Sequence, residues 1–271
     1  MTSYLSGSLK DAIRMNQPDL IESSMTKGPI NMGTRQKELD ACLELSMPTG
    51  TLEVIERLLT LGARLVPDSL FAAVARQEPE VFQLLIEFGW DINSTRFSHA
   101  AIHHAVDHEV SLRWLLEHGA DPNLSSERRE IGSCLQRATP LDYASKLSDP
   151  TSVNILLSHG ANLDPDAIYH AIGIRYQKNG TATLKALIDH GADVNYNSKR
   201  WSTPLFHTVR IGSPEKLRLL LERGADPEIK SLNTHTSPLE LAKKDGRMDM
   251  YELMEEAYRQ KFPDESCIDS Y

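Results

Sequence analysis

Glycines recur at Gly28, Gly62, Gly89, Gly119, Gly160, Gly191 and Gly224, at spacings of 34, 27, 30, 41, 31 and 33 residues. Seven, four and three positions ahead of each stands the same column. It reads Ile21/Ser24/Met25, Ile55/Leu58/Leu59, Phe82/Leu85/Ile86, Leu112/Leu115/Leu116, Val153/Leu156/Leu157, Leu184/Leu187/Ile188 and Leu217/Leu220/Leu221. An apolar stripe at i, i+3, i+4 is the buried seam of an α-helix. A glycine just beyond it stops the helix, because the left-handed C-cap carries no steric penalty there. Only Ser24 breaks the column, in the first unit, where a terminal repeat is expected to be polar. Units of about 33 residues cannot bury such seams alone, so the period requires neighbours stacked side by side.

Each seam helix has a partner before it. Sixteen residues ahead of Gly28, Gly89, Gly160 and Gly224 lie Ala12, Ala73, Ala144 and Thr208, small residues suited to close helix contact. Thr139-Pro140-Leu141, Thr203-Pro204-Leu205 and Ser237-Pro238-Leu239 mark first-helix starts, with the hydroxyl residue as N-cap and proline where no N–H partner exists. Ser213-Pro214 starts the seam helix of the clearest unit, and Gly224 ends it. Exits read GADPN (119–123), GADVN (191–195) and GADPE (224–228), with variants GWDIN (89–93) and GANLD (160–164).

Period, helix starts, exits and apolar column together resemble the ankyrin-repeat family over nearly the whole chain. The resemblance implies an all-α solenoid of stacked helix-turn-helix units with short β-hairpin fingers, read here as a single elongated domain. It divides the chain into an extension (1–8), a repeat domain (9–260) and an acidic C-terminal tail (261–271). The eight units run 9–33, 34–65, 66–93, 94–123, 124–163, 164–195, 196–229 and 230–260. Exits such as LLLERGADPEI are similar to those of fungal members. The family implies binding of another protein through fingertips and the inner, first-helix face.

Departures from regularity carry the individual character. Gly62 and Ala73 are 11 residues apart, as are Gly160 and Ala171, where the regular Gly191–Thr208 stretch spends 17. Neither short stretch has room for a hairpin; Pro67-Asp68 and Pro165-Asp166 turn straight into helices, so a finger is missing at each. Conversely, Gly119 to Ala144 is eight residues longer than regular, which predicts an extended finger over 123–138. The connection IRYQKNGT lengthens the following unit by four. Ser237–Gln260 keeps helix register with a heavily charged face, as a terminal cap needs.

The net charge of −9 argues against a nucleic-acid ligand, since phosphate binding needs a basic face. Cys42, Cys134 and Cys267 are odd in number and far apart, which is neither a disulfide framework nor a zinc pattern. The N-terminus has no apolar signal core and no run reaches a membrane span. The expectation is a monomeric cytoplasmic or nuclear protein with no membrane partner and no cofactor.

Catalytic signatures are missing: no nucleophile elbow, phosphate-cradling loop or His-Glu-x-x-His helix appears. The expectation is therefore not an enzyme. His104 and His108 have i, i+4 spacing that can hold zinc, with Asp107 near. Against this, His103 takes the slot after the helix start where the family carries a histidine bonded to neighbouring finger backbone, and His108 falls in the turn; no metal ligand is assigned. His104, His170 and His207 share one column, so His170 and His207 border one groove or simply half-pack. Trp201, flanked by Lys199 and Arg200, sits at a fingertip either as an interface anchor or folded back onto the adjacent finger. Phe97 is its equivalent on an earlier finger. Arg128, Arg129 and Arg137 make a basic spot on the long finger. The candidate partner-binding set is thus Phe97, Arg128, Arg129, Arg137, His170, Lys199, Arg200, Trp201 and His207. Its surface is bounded by fingers 93–100, 123–138, 195–202 and 228–236. The reading is a non-catalytic adaptor or scaffold. Its alternatives are an inhibitor masking a partner's functional surface, or a divergent enzyme or metal protein using the histidine groove.

Overall fold

The structure, a computed structural model, describes residues 5, 7–25, 32–97, 99–126, 138–173 and 180–261. The chain divides into two compact units, 1–139 and 140–271. The first contains helices α1 (Gly7–Arg14), α2 (Pro18–Ser24), α3 (Met32–Ser46), α4 (Leu52–Thr60), α5 (Pro67–Arg76), α6 (Pro79–Glu87), α7 (Ala101–His104) and α8 (Glu109–Glu117). First helices α1, α3, α5 and α7 lie successively against one another, and so do seam helices α2, α4, α6 and α8. The second unit repeats the scheme with α9 (Pro140–Ala144), α10 (Thr151–Ser158), α11 (Ala167–Ile172), α12 (Thr181–Asp189), α13 (Pro204–Ile211), α14 (Pro214–Glu222), α15 (Pro238–Lys244) and α16 (Met248–Lys261). Its first helices α9, α11, α13, α15 form one layer and α10, α12, α14, α16 the other.

Local chemistry sets these bounds. Thr203 Oγ1 accepts the Phe206 N–H at 3.2 Å, and Ser237 and Glu240 make a reciprocal capping box, satisfying N–H groups the helix leaves open. Gly224 closes α14 at φ +87°, a conformation that penalises any Cβ. The small residues Ala12, Ala73, Ala144 and Thr208 are all buried, as are the seam leucines Leu58, Leu85, Leu115, Leu156, Leu187 and Leu220. On α16 only Met250 and Met254 are buried among the described side chains, so the last helix shows a polar outer side.

The layer contact also has a polar column that the apolar pattern hides. Eight positions before the glycines stand Ser111, Thr183 and Lys216, all buried. Each donates to a carbonyl at or just beyond the end of the preceding unit's first helix. Ser111 Oγ reaches Val74 O at 2.7 Å, and Thr183 Oγ1 reaches Leu147 O at 2.6 Å. Lys216 Nζ reaches Ala171 O and Ile172 O at 3.0 and 2.7 Å. Helix ends leave carbonyls without an intrahelical partner; Thr183 and Lys216 close theirs, and Ser111 adds a second donor to Val74 O, which also accepts the Gln77 N–H at 3.3 Å.

Fingers are built from turns rather than strands. Among the described residues one isolated antiparallel bridge, Ser198 to Ser202, is the β-structure present. After Gly62 and Gly160 the chain enters α5 and α11 without a hairpin, as the short spacing predicts. Of the long finger 123–138, residues 127–137 lie outside the described residues; its base is tied by Ser126 N–H to Ala138 O at 2.9 Å.

Candidate interaction surface

In the second unit, the candidates Arg200, Trp201 and His207 fall in one neighbourhood. Trp201 lies over Tyr169, with ring centroids 6.3 Å apart and planes 23° off parallel, and meets His207 edge-on at 5.0 Å. Arg200 covers the indole with its guanidinium 4.8 Å from the ring centroid. Trp201 is therefore half-buried: it packs back onto α11 while its outer side remains accessible under Arg200. Lys199 and Arg200 are exposed. His170, half-buried, points Nε2 at Asp142 Oδ1 from 3.6 Å.

The finger carrying this tip is pinned to the next. Asn195 accepts the Asp226 N–H at 2.8 Å and donates to Gly224 O at 3.3 Å. Asn197 donates to Lys230 O at 2.8 Å, Ser202 and Ser231 hydroxyls pair at 2.7 Å, and Asn233 donates to Lys199 O. Tyr169 OH reaches up from α11 to Tyr196 O and Ser202 O at 2.6 and 2.5 Å. Tyr169 occupies the slot that His103 holds in the first unit, two positions after the helix start. It is the central residue that the candidate set omits; the clue was the alignment of Ala167-Ile168-Tyr169 with Ala101-Ile102-His103.

His207 is 4% exposed, so it supports the surface from beneath rather than presenting itself. Its Nε2 lies 3.1 Å from Gly173 O. That carbonyl can only accept, which puts the ring proton on Nε2. Burial pushes its pKa down to about 4; the Gly173 contact opposes this, and Arg210 and Lys216 reinforce it. Burial likewise lowers His170, with Asp142 opposing and Lys146 adding to the shift.

In the first unit, His103 behaves as the resemblance implies: Nδ1 accepts the Ala100 N–H at 3.2 Å and Nε2 reaches Leu124 O at 2.9 Å. His104 packs edge-on against Phe71 at 4.0 Å, and Phe71 is 43% exposed. Burial, then His99 and His103, hold His104 down to about 4. His108 sits at the N-cap of α8, in the turn. No group of His, Cys, Asp and Glu suited to a metal occurs among the described residues. Phe97 is half-buried with Arg96 at 5.8 Å from its centroid, in a different unit from Trp201. Arg128, Arg129 and Arg137 lie outside the described residues.

No helix among the described residues is long and apolar enough to cross a membrane. Residues 70–167 match the profile of ankyrin repeats, in three copies. The human ankyrin repeat and SOCS box protein 6 is 33% identical over 122 residues, covering 41% of this chain and 27% of its own. The potassium channel AKT1 of Oryza sativa subsp. indica is 30% identical over 247 residues, 90% of this chain and 26% of the channel. This chain thus spans about a quarter of the length of these relatives. Among solved structures, the ankyrin repeat domain of Bcl-3, a member of the IkappaB protein family, superposes with a TM-score of 0.59 at 24% identity. That match covers 78% of this chain and 97% of the other. With paired helices layered as described and the Asn-mediated ties between successive exits, the chain is an ankyrin-repeat protein.

Proposed function

We propose that this chain is a non-catalytic recognition module, an adaptor or scaffold that holds a partner protein against its fingers and first helices. The observation that carries the reading is the pinned tip at 195–202. A half-buried Trp201 and two exposed cations, Lys199 and Arg200, ride on a finger fixed by Asn195, Asn197 and Asn233. Side chains already ordered before contact lose less entropy on binding, and aromatic and arginine residues supply most interface energy. Cations at the tip of a chain with net charge −9 favour an acidic partner segment through electrostatic complementarity. Cys42, free and buried, suits a reducing compartment such as cytosol or nucleus.

The test is affinity capture from source-cell extract followed by mass spectrometry, comparing wild type with the Lys199→Glu/Arg200→Glu variant. Both substitutions are at exposed positions and should leave the fold intact, which circular dichroism verifies. A protein captured by wild type and lost by the variant supports the reading. Capture undiminished by the charge reversal removes this tip from the interface.

A further inference from the structure

The finger missing after Gly62 leaves a cleft in the first unit. It encloses about 280 Å³, small for a cofactor-sized ligand but of a size for one or two side chains. Its lining includes the buried Leu59, Leu70 and Leu85, the half-buried Trp90 and Phe97, and the guanidinium-bearing Arg64 and Arg96. Both arginines are exposed; Arg64 keeps 59% of its side chain open while its guanidinium stands 3.6 Å from the Asp40 carboxylate.

The backbone of this cleft is also incomplete in a specific way. Four residues after the exit glycine, Asn93 and Asn195 each clamp the next exit. Asn93 donates to Gly119 O at 3.0 Å and accepts the Asp121 N–H at 2.8 Å. Asn195 does the same to Gly224 O and Asp226 N–H. The corresponding residue after Gly62 is Val66, which carries no carboxamide. Among the described residues nothing takes up Gly89 O or the Asp91 N–H, and Gly89 and Asp91 both line the cleft. The second missing finger is not equivalent: there Tyr169 and Trp201 pack together beside the shortened connection.

We infer that the cleft is a docking site for an extended acidic segment of a partner protein, which takes the place of the missing finger. Its carboxamide or peptide group bridges Gly89 O and Asp91 N–H as Asn93 bridges the next exit. An adjacent bulky apolar side chain fills the space between Trp90 and Phe97. Carboxylates before and after it meet Arg64 and Arg96. The stretch Gly62–Ala73 is six residues shorter than the regular one, so a segment of about that length is replaced. The inference rests on the recognition-module reading but uses a different surface from the 195–202 tip.

The test uses an array of twelve-residue peptides with a central Asn followed by Leu or Phe, flanked by acidic, neutral or basic residues. The full chain is the binder. The acidic series should bind best, and replacing its central Asn by Ala should weaken binding about five-fold or more. The best peptide, added to labelled protein, should shift and protect the Asp91 amide in NMR spectra. Arg64→Glu/Arg96→Glu should weaken it at least ten-fold, whereas Lys199→Glu/Arg200→Glu should leave it unchanged. Equal or stronger binding by the basic series, no binding by any series, or loss of binding in the Lys199/Arg200 variant would overturn the inference. A failed array beside a successful partner capture would remove this site and leave the fingertip reading standing.

Discussion

Single residues in this chain are worth most where two layers meet. Leu220 is fully buried, and Leu220→Ala should cost about 2–5 kcal/mol in urea unfolding through lost burial and the cavity left behind. Lys216 is equally buried, yet for another reason: it closes two carbonyls in the last turn of α11. Lys216→Met keeps the volume and removes the donors, and should cost about 2–3 kcal/mol; a variant as stable as wild type would show those carbonyls to be satisfied otherwise. His207 links stability to acid. Its folded pKa of about 4 lies below the ordinary value near 6.5. Between those values the unfolded chain takes a proton that the folded chain refuses. Its contribution is therefore complete above about pH 6.5 and lost as pH falls towards 4, by roughly 3 kcal/mol at most. Urea midpoints measured from pH 7 to 4 should fall less steeply for His207→Gln than for wild type. The leucines were legible because a stripe repeated seven times is hard to mistake. Lys216 was not, since a lysine among leucines reads as a solvated position until its carbonyl partners are known.

At the scale of the element, helices and fingers differ in how they are held. Helix starts followed from Thr203 and Ser237 before prolines, and the missing hairpins after Gly62 and Gly160 from spacing alone, because chain length limits geometry directly. Finger interiors were less legible. Their order comes from carboxamides reaching across some thirty residues of sequence, as Asn195 does to Gly224 and Asp226, and a lone Asn carries no sign of its partner. Asn93→Ala should therefore loosen one tie and leave the helices intact. Exchange of the Asp121 amide, which Asn93 now receives at 2.8 Å, should quicken by about five-fold or more, corresponding to the ~1 kcal/mol of a hydrogen bond. Unchanged exchange there would assign the tie to backbone geometry instead. Trp201 shows the limit of reading tips from sequence. Anchor and folded-back positions were both open; the structure packs the ring back onto Tyr169 and His207, with Arg200 4.8 Å from its centroid.

Across the whole molecule, each compact unit applies the same rule: regular helices hold variable tips, so tips can change while the layers persist. The repeat family was legible from period and exits; the ligand was not, because a scaffold shared by many proteins does not name what it holds. The most direct measurement is hydrogen exchange by mass spectrometry on the chain alone and with its captured partner. Protection should concentrate on residues 192–202 and 225–236 and on the sides of α11 and α13 that face the tip, with α12 and α14 unchanged on their outer sides. Protection confined to the outer sides of α12 and α14, with the fingers exchanging as in the free chain, would contradict recognition through the fingers.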